Sequence, residues 1–496
     1  MYLIHKFLNI VLLPLNLIVL LSFMPPFLIL KFLWSLKRSI YSENVFGKVV
    51  LITGASSGIG EYAKRGARLA LVARREDRLQ AVADKARKLG SPEVVVVRAD
   101  VSKVEECERF VNETVNHFGR LDHLVNNAGV VLQLRLFEDF THFSDIASVM
   151  DINFWGSVHS THYAVPHLRK SKGKIVVIAS AAQGLTTPGL SFYNASKAAQ
   201  VSFFETLRTE FGQDIGITIV TPGVIESEMT QEFLPAVGFR NVNYQTQLIL
   251  YPTNACCIYI RGIEIMLLMS YEYAKRGARL ALVARREDRL QAVADKARKL
   301  GSPEVVVVRA DVSKVEECER FVNETVNHFG LDHLVNNAGV VLQLRLFEDF
   351  THFSDIASVM DINFWGSVHS THYAVPHLRK SKGKIVVIAS AAQGLTTPGL
   401  SFYNQSSPGI LFETLRTEFG QDIGITIVTP GVIESEMTQE FLPAVGFRNV
   451  NYQTQLILYP TNACCIYIRG IEMFNPYQEG LKSFKNCNGM ENFPWD

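Results

Sequence analysis

The chain has 496 residues, of which 48% are hydrophobic and 20% are charged, and its formal net charge is +1 at pH 7. This length predicts two or three domains with cores of their own, and a charge so close to zero gives no support for nucleic-acid binding. The seven cysteines show no spacing typical of a metal site, so we expect reduced thiols facing the cytosol.

The first 40 residues carry much of the hydrophobic sequence. No charged residue occurs from Phe7 to Leu30, and three prolines interrupt this run. A run of about 20 apolar residues is long enough to cross a bilayer, and the prolines favour a hairpin that enters and leaves one leaflet. Basic residues follow it, namely Lys31, Lys37 and Arg38, which predicts that the body of the protein stays on the cytosolic side. We therefore expect a hydrophobic helical membrane anchor over residues 1–40; a buried core helix is the alternative.

Two long segments, Glu61–Glu264 and Glu272–Glu472, are nearly identical. Their period of about 200 residues far exceeds the ~20–50 residues of solenoid repeats, so a whole domain is duplicated. We predict copy one over residues 45–264, an incomplete copy two over 265–473, and a tail over 474–496.

Strands and helices alternate along copy one. The predicted strands are Val49–Thr53, Arg68–Ala73, Val94–Ala99, His123–Asn126, Lys174–Ala179 and Ile217–Thr221, with helices such as Glu76–Leu89 and Val104–His117 between them. This alternation predicts an α/β fold with a Rossmann-like, doubly wound parallel sheet, present twice. The continuous apolar runs fit strands that are covered on both faces.

A glycine-rich turn follows the first strand, and its candidate cofactor-binding residues are Gly54, Ser56, Ser57, Gly58, Ile59 and Gly60. Such a turn lets the backbone approach a pyrophosphate at a helix N-terminus; a turn without a ligand is the alternative.

The second strand ends at Arg74 and Arg75 rather than at an acidic residue. An arginine at this position accommodates the 2′-phosphate of NADP(H), whereas an acid would hold the ribose of NAD. The sequence therefore favours NADP(H), unless both arginines are simply solvated.

Further candidates lie where the third and fourth strands end, since ligands bind at the carboxyl ends of parallel strands. They are Asp100, Val101, Asn126, Asn127, Ala128 and Gly129.

Tyr193 and Lys197 are four residues apart, so on a helix they share one face. A phenol with an ordinary pKa of ~10 needs a neighbouring positive charge to exchange protons near neutrality. Copy two has Tyr403, but Ser407 stands where the lysine should be. We therefore predict a proton-transfer site in copy one only.

The order TGASSGIG, NNAG, Ser180, Tyr193-x-x-x-Lys197 and Pro222-Gly223 resembles the short-chain dehydrogenase/reductase family. The hydrophobic N-terminus and the phrases Phe154-Trp155-Gly156 and Ser191-Phe192-Tyr193 resemble the plant 11-beta-hydroxysteroid dehydrogenase-like proteins, or steroleosins. The resemblance covers residues 1 to about 264 and most of 272–472.

The resemblance implies hydride transfer between NADP(H) and the hydroxyl or ketone of a steroid or another lipophilic alcohol. Tyr193 would be the general acid/base, Lys197 would favour its phenolate and bind the nicotinamide ribose, Ser180 would hold the substrate oxygen, and Asn153 would hold a water. Pro222 and Gly223 would contact the cofactor. The resemblance also implies attachment to oil bodies, lipid droplets or the endoplasmic-reticulum membrane, and a homodimer is a further expectation.

The sequence departs from the family in three ways. Only Glu61–Arg65 separates Gly60 from Gly66, about five residues fewer than expected, which would rotate the buried face of the helix by roughly 140°. Copy two lacks the first strand; either Ile265–Met269 replaces it, or the strand and turn at 49–60 pair with copy two. Both copies also stop before the family's last strand. These departures favour an alternative function: a catalytically impaired duplicate that only binds cofactor and membranes.

Overall fold

The computed structural model describes residues 43–55, 60–132, 135–140, 143–223, 265–341, 345–350, 353–390 and 399–429. The predicted anchor, the tail and Ser56–Ile59 of the glycine-rich turn lie outside these ranges. Within them, no helix combines the length and apolar character needed to cross a membrane.

Copy one folds as a parallel six-stranded sheet with helices on both faces. Its strands are β1 (Val49–Thr53), β2 (Arg68–Ala73), β3 (Val94–Arg98), β4 (His123–Asn126), β5 (Lys174–Ile178) and β6 (Gly216–Val220), in the spatial order β3-β2-β1-β4-β5-β6. Its helices are α1 (Gly60–Lys64), α2 (Glu76–Leu89), α3 (Val104–Phe118), α4 (Phe143–Met150), α5 (Gly156–Ser171) and α6 (Ser191–Phe211), and a π-helical turn (Asp151–Trp155) joins α4 to α5. The predicted doubly wound fold is confirmed.

Strand β1 is central to this sheet, and every one of its residues is buried. It pairs with β2 from Val49 opposite Arg68, and with β4 from Val50 opposite His123. The carboxylate of Asp122, just before β4, accepts a hydrogen bond of 2.9 Å from the Val49 N–H. The shortened helix α1 buries Ala63, and the strands on either side of it remain in register.

Copy two keeps most of these elements but not the first strand. Its elements are α7 (Ile265–Lys275), β7 (Leu280–Ala284), α8 (Glu287–Leu300), β8 (Val305–Arg309), α9 (Val315–Phe329), β9 (His333–Asn336), α10 (Phe353–Met360), a π-helical turn (Asp361–Trp365), α11 (Gly366–Ser381), β10 (Lys384–Ile388), α12 (Ser401–Gln405), α13 (Gly409–Phe419) and β11 (Gly424–Val428). Its sheet is split into a two-stranded part, β7-β8, and a three-stranded part, β11-β10-β9.

Both predicted replacements for the missing strand are wrong. Ile265–Met269 belongs to helix α7, and β1 pairs with β2 and β4 of copy one instead of with copy two. Loop length accounts for the second result: 14 residues connect β1 to β2, whereas 226 residues separate β1 from β7. Closing the longer loop costs about 2.5 kcal/mol more entropy. In the described part of copy two, no strand therefore joins β7 to β9.

The two copies pack against each other through reciprocal contacts, which we call the copy–copy interface. Arg169 pairs with Glu348 at 2.6 Å, and the equivalent Arg379 pairs with Glu138 at 2.9 Å. Aromatic rings also meet in both directions, since Trp155 stacks on Phe402 and Trp365 stacks on Phe192. One hydrophobic core runs through both copies. The duplicated domains thus form a pair with approximate two-fold symmetry.

Candidate active site

The candidate site of copy one lies at the carboxyl ends of β1, β4 and β5. The Thr53 hydroxyl at the end of β1 accepts hydrogen bonds from the N–H groups of Asn127 and Ala128, at 3.1 and 3.2 Å. The Asn127 side chain donates back to the carbonyls of Thr53 and Gly54, both at 3.1 Å. These contacts tie the turn after β4 to the start of the glycine-rich turn.

Gly54 leaves no room for a side chain at this junction. Its φ is +64°, and a Cβ atom there would lie 2.6 Å from the Ala128 Cα. A dinucleotide fits such a junction because its phosphates approach bare backbone. Among the other predicted residues of the turn, Gly60 begins α1.

Tyr193 and Lys197 both lie on helix α6, and the Lys197 Nζ atom is 5.9 Å from the centroid of the Tyr193 ring. Lys197 is buried, with 3% of its surface exposed. Its ammonium donates to the Ile178 carbonyl at 3.0 Å and to the Gln200 Oε1 at 2.9 Å. Burial lowers the pKa of Lys197 from 10.5 to about 7, so the amine changes charge near neutral pH.

Burial raises the pKa of the Tyr193 phenol, and a hydrogen bond with Ser180 opposes that rise. The Lys197 amine donates its two hydrogen bonds to Ile178 and Gln200. The expected stabilisation of the Tyr193 phenolate by Lys197 stays a prediction.

Ser180 and Asn153 complete the predicted set. Ser180 follows β5, and its hydroxyl accepts a 3.1 Å hydrogen bond from the Ala182 N–H. Asn153 sits in the π-helical turn, is fully buried, and donates to the Val130 carbonyl at 3.0 Å and to the Ser196 hydroxyl at 2.9 Å. Because both side-chain N–H groups are used in this way, Asn153 ties the turn after β4 to helix α6 beside Tyr193.

The remaining predicted cofactor residues line the same edge of the sheet. Arg74 and Arg75 are exposed just after β2. The Asp100 carboxylate accepts hydrogen bonds from the N–H and the hydroxyl of Ser102, at 3.0 and 2.8 Å. The Pro222 carbonyl accepts a 2.8 Å hydrogen bond from the Ala181 N–H, and Gly223 follows it as an exposed residue.

The side chains of two of these residues contact neighbouring parts of the fold. Val101 is buried and packs where a side chain on Gly156 would collide with it, at 2.8 Å. Asn126 is buried and donates to the Thr161 hydroxyl at 2.9 Å. By contrast, Gly129 faces the site, since a Cβ atom there would lie 3.5 Å from the Lys197 Nζ.

A small pocket opens beside Tyr193. Apolar side chains make most of its lining, which includes Leu132, Phe140, Val149, Leu190 and Phe192. An apolar wall next to a phenol suits a lipophilic alcohol or ketone better than a charged substrate.

Comparison with known proteins identifies this arrangement. The short chain dehydrogenase family matches residues 48–237 and matches again over residues 262–445. The chain belongs to the short chain dehydrogenase family. The family resemblance expected from the sequence is thereby confirmed in both copies.

Two plant relatives are similar to this short chain dehydrogenase. "11-beta-hydroxysteroid dehydrogenase A" of Sesamum indicum is 59% identical over 248 residues, which are 49% of this chain and 71% of that protein. "11-beta-hydroxysteroid dehydrogenase 1A" of Arabidopsis thaliana is 61% identical over 214 residues, 42% of this chain and 61% of that protein. Each match spans about half of this chain, which is consistent with a duplication.

A solved structure has a similar overall fold. It is the N-domain of a bacterial malonyl-CoA reductase with NADP, which aligns with a TM-score of 0.60 at 15% identity over 78% of this chain and 92% of that one. The aligned residues extend over more than one copy of the duplicated domain.

The second copy lacks the hydrogen bonds that Lys197 makes in the first copy. The Ser407 hydroxyl and both polar side-chain atoms of Gln405 are buried, and none has a hydrogen-bond partner within the described ranges. Pro408 separates α12 from α13, where copy one has the single helix α6. Asn363 nevertheless keeps its 2.8 Å hydrogen bond to Ser406, as Asn153 does to Ser196.

Sequence reasoning missed several residues of the site. Gln200, the partner of Lys197, had one signal, because the block Ala195–Phe203 that contains it is replaced in copy two. In the sequence Thr53 is only the last residue of a predicted strand; its hydroxyl becomes a hydrogen-bond acceptor once β1 and β4 are paired. Glu418 of copy two also reaches this site, and no spacing in the sequence indicates that contact.

Proposed function

We propose that copy one is an NADP(H)-dependent hydroxysteroid dehydrogenase that interconverts a hydroxyl and a ketone on a steroid or a similar lipophilic molecule. The observation that carries the proposal is the buried Lys197 amine beside the Tyr193 ring, 5.9 Å from its centroid, and next to Gly129, where a Cβ atom would lie 3.5 Å from the Lys197 Nζ. The apolar side chains that surround Tyr193 and the names of the plant relatives support the substrate class.

The residues of copy one divide the work of this reaction. When bound, the nicotinamide accepts a hydride from the alcohol carbon or returns one to the ketone carbon. Tyr193 takes the hydroxyl proton in oxidation and gives it back in reduction. Ser180 holds the substrate oxygen, and its hydrogen bond with the phenol opposes the rise of the Tyr193 pKa that burial causes.

Lys197 supplies a positive charge beside the cofactor and the phenol. Its pKa of about 7 means that an anionic ligand favours the charged form, since opposite charges stabilise each other at short range. Asn153 holds the turn after β4 against α6, so that Gly129 and Tyr193 stay on the two sides of the same space.

We also propose that NADP(H) is preferred over NAD(H). The exposed Arg74 and Arg75 after β2 support this preference, because guanidinium groups bind phosphate through paired hydrogen bonds. Titration of the purified protein with both cofactors tests it, with Arg74→Ala and Arg75→Ala expected to weaken NADP(H) binding and to leave NAD(H) binding unchanged. Equal losses for both cofactors would contradict the assignment.

We further propose the domain limits 1–40, 45–264, 265–473 and 474–496, with residues 1–40 attaching the protein to an oil body, lipid droplet or endoplasmic-reticulum membrane and the domains facing the cytosol. The uncharged run Phe7–Leu30 supports this location. Deletion of residues 1–40 should release the protein into the soluble fraction of lysed cells. If the truncated protein still floated with lipid, the attachment would lie elsewhere in the chain.

The pair of variants Tyr193→Phe and Tyr403→Phe tests the catalytic proposal. Each removes one phenol oxygen from an equivalent place in one copy. Loss of a general acid/base reduces the rate by ~10²–10⁴-fold, so Tyr193→Phe should abolish most turnover of a hydroxysteroid with NADP⁺. Tyr403→Phe should leave turnover nearly unchanged, because copy two has Ser407 in place of the lysine.

The same assay separates the two candidate functions. The buried polar atoms without partners in copy two favour a non-catalytic role for that copy. Because helix α1 of copy one is also shorter than expected, the assay tests whether copy one itself is catalytically impaired. If the unmodified chain binds NADP(H) but turns over no hydroxysteroid, the impaired, cofactor-binding duplicate becomes the better description. Activity that depends on Tyr403 instead of Tyr193 would reverse the assignment of the copies.

A further inference from the structure

Glu418, near the end of helix α13 in copy two, reaches across the copy–copy interface into copy one. One carboxylate oxygen accepts a 2.8 Å hydrogen bond from the Phe137 N–H, and the other accepts a 2.9 Å hydrogen bond from the Gly189 N–H. These two amides belong to separate segments of copy one. A single side chain of copy two therefore joins both segments.

Both segments form walls of the pocket beside Tyr193. Gly189 lines the pocket and lies two residues before helix α6 begins, and Phe137 starts the short turn that leads to Phe140 in the pocket wall. The Phe137 ring stacks on Phe192, with the centroids 5.8 Å apart. The position of Tyr193 relative to the opposite wall thus depends on how these two segments are held together.

Other rings of copy two press on the same walls. Trp365 stacks on Phe192 with centroids 6.4 Å apart, and Phe419 meets the edge of Phe137 at 6.1 Å. These contacts cover apolar surface without fixing a direction, whereas the two hydrogen bonds of Glu418 set the distance between Phe137 and Gly189. Glu418 is therefore the directional part of this contact.

The charge state of Glu418 fits such a role. Burial raises the pKa of its carboxyl group, while the Phe137 and Gly189 N–H groups oppose the rise by hydrogen-bonding the charged form. Removal of the carboxylate would leave two backbone donors without their acceptor inside the interface, which is unfavourable for buried polar groups.

The approximate symmetry of the chain supplies a matched control. Glu210 of copy one accepts hydrogen bonds from the Phe347 and Gly399 N–H groups of copy two, both at 2.9 Å. The geometry is the same, but the segments held by Glu210 belong to the copy that has Ser407 in place of a lysine.

We propose that Glu418 is a positioning residue for the active site of copy one, so that copy two, without chemistry of its own, shapes the substrate pocket of its neighbour. This inference rests on the proposed function of copy one. It assigns to the duplicated domain a task that does not require the catalytic lysine.

The test compares Glu418→Gln with Glu210→Gln in the full chain. Both substitutions exchange one acceptor oxygen for an amide nitrogen at the same interface. We expect Glu418→Gln to lower kcat/KM for a hydroxysteroid about tenfold, the effect of one lost charge-assisted hydrogen bond, mainly through a higher KM. Glu210→Gln should leave both kinetic constants within twofold of the unmodified chain. Equal kinetic losses in the two variants would mean that the residues only stabilise the interface, and would overturn the proposal.

Amide hydrogen exchange provides a readout that does not depend on turnover. The peptides Thr186–Lys197 and Thr396–Ser407 contain Gly189 and Gly399. They can be distinguished by mass because they differ at two positions, Ala195 against Gln405 and Lys197 against Ser407. Glu418→Gln should accelerate exchange in the first peptide about tenfold, and Glu210→Gln should do so in the second. If the first peptide were unaffected by Glu418→Gln, the proposal would fail. If exchange responded as expected but the unmodified chain had no turnover, the contact would stand and the proposed function would fail.

Discussion

Replacement of Lys197 by methionine should change how the stability of the protein depends on pH. The pKa of Lys197 falls from 10.5 to about 7 because the amine is buried. At 1.36 kcal/mol per pH unit this corresponds to a penalty of about 5 kcal/mol for burying the charged form. Lys197→Met removes this penalty together with the hydrogen bonds to Ile178 and Gln200. Because the titration of the amine is what makes the penalty depend on pH, the pH dependence is a more specific measurement than the stability at one pH.

The sign of that dependence follows from the lowered pKa. Between pH 7 and pH 10.5 the unfolded chain keeps the Lys197 proton while the folded chain releases it, so raising the pH favours folding. From pH 7 to pH 9 the unmodified protein should gain about 2 kcal/mol of unfolding free energy relative to Lys197→Met. Below pH 7 both states carry the proton, and the difference between the two proteins should become constant.

Urea denaturation at half-unit intervals from pH 6 to pH 9.5 measures this difference. Lys88→Met is a suitable control, because Lys88 is exposed on helix α2 and its replacement also removes one positive charge. The control should run parallel to the unmodified protein at every pH. If the unfolding free energy of the unmodified protein stayed constant or fell relative to that of Lys197→Met as the pH rose, the argument that burial lowers the pKa of this amine would be refuted.

Two further substitutions test how the first strand is held. Gly54→Ala should destabilise the protein strongly and abolish cofactor binding, since its Cβ would overlap the backbone after β4, whereas Gly47→Ala, at φ +72° but in open space, should cost only about 1–2 kcal/mol; calorimetry of both variants distinguishes overlap from backbone strain. Asp122→Asn should lower the unfolding free energy by about 1–3 kcal/mol, because its carboxylate accepts from the Val49 N–H. The equivalent Asp332→Asn, exposed in copy two, should change it by less than about 0.5 kcal/mol; similar losses at both aspartates would count against a specific role in holding β1.

The elements of copy one were predictable because their signals are local. Apolar runs bounded by turns gave all six strands, and the structure shortens β3 and β5 by one residue and shifts β6 by one. Helix Glu76–Leu89 was predicted with its observed ends. Such boundaries are set within a few residues of the chain, for example by Gly90, which has a φ of +116° and directly follows this helix.

The same local signals did not predict how copy two folds without its first strand. Ile265–Met269 is as apolar as a strand, but in the structure it continues into the helical sequence that follows and forms α7. The partner of β1 depended on loop entropy, because copy two repeats the sequence of β2 and β4 almost without change. Because both copies contain these strand sequences, the sequence pattern alone does not predict which copy pairs with β1.

In the candidate site, too, some features could be predicted from local sequence and others depend on tertiary packing. The positions of Tyr193, Lys197, Ser180 and Asn153 near one another followed from the family spacing, and their roles remain predictions. The direction of the Lys197 ammonium did not follow, because it depends on a carbonyl and an amide that meet only after β5 and α6 have packed. The contact of Glu418 with Gly189 joins residues 229 positions apart, and it exists only once the two copies are paired.

The covalent connection between the copies has a consequence for mass action. For separate subunits, contacts such as those between Arg169 and Glu348 form only when the protein concentration exceeds a dissociation constant. Within one polypeptide the partner is present at an effective concentration that does not change on dilution, commonly in the millimolar range for a flexible link. The copy–copy interface should therefore persist at nanomolar protein, and any pocket geometry that it supports should be a property of the single chain.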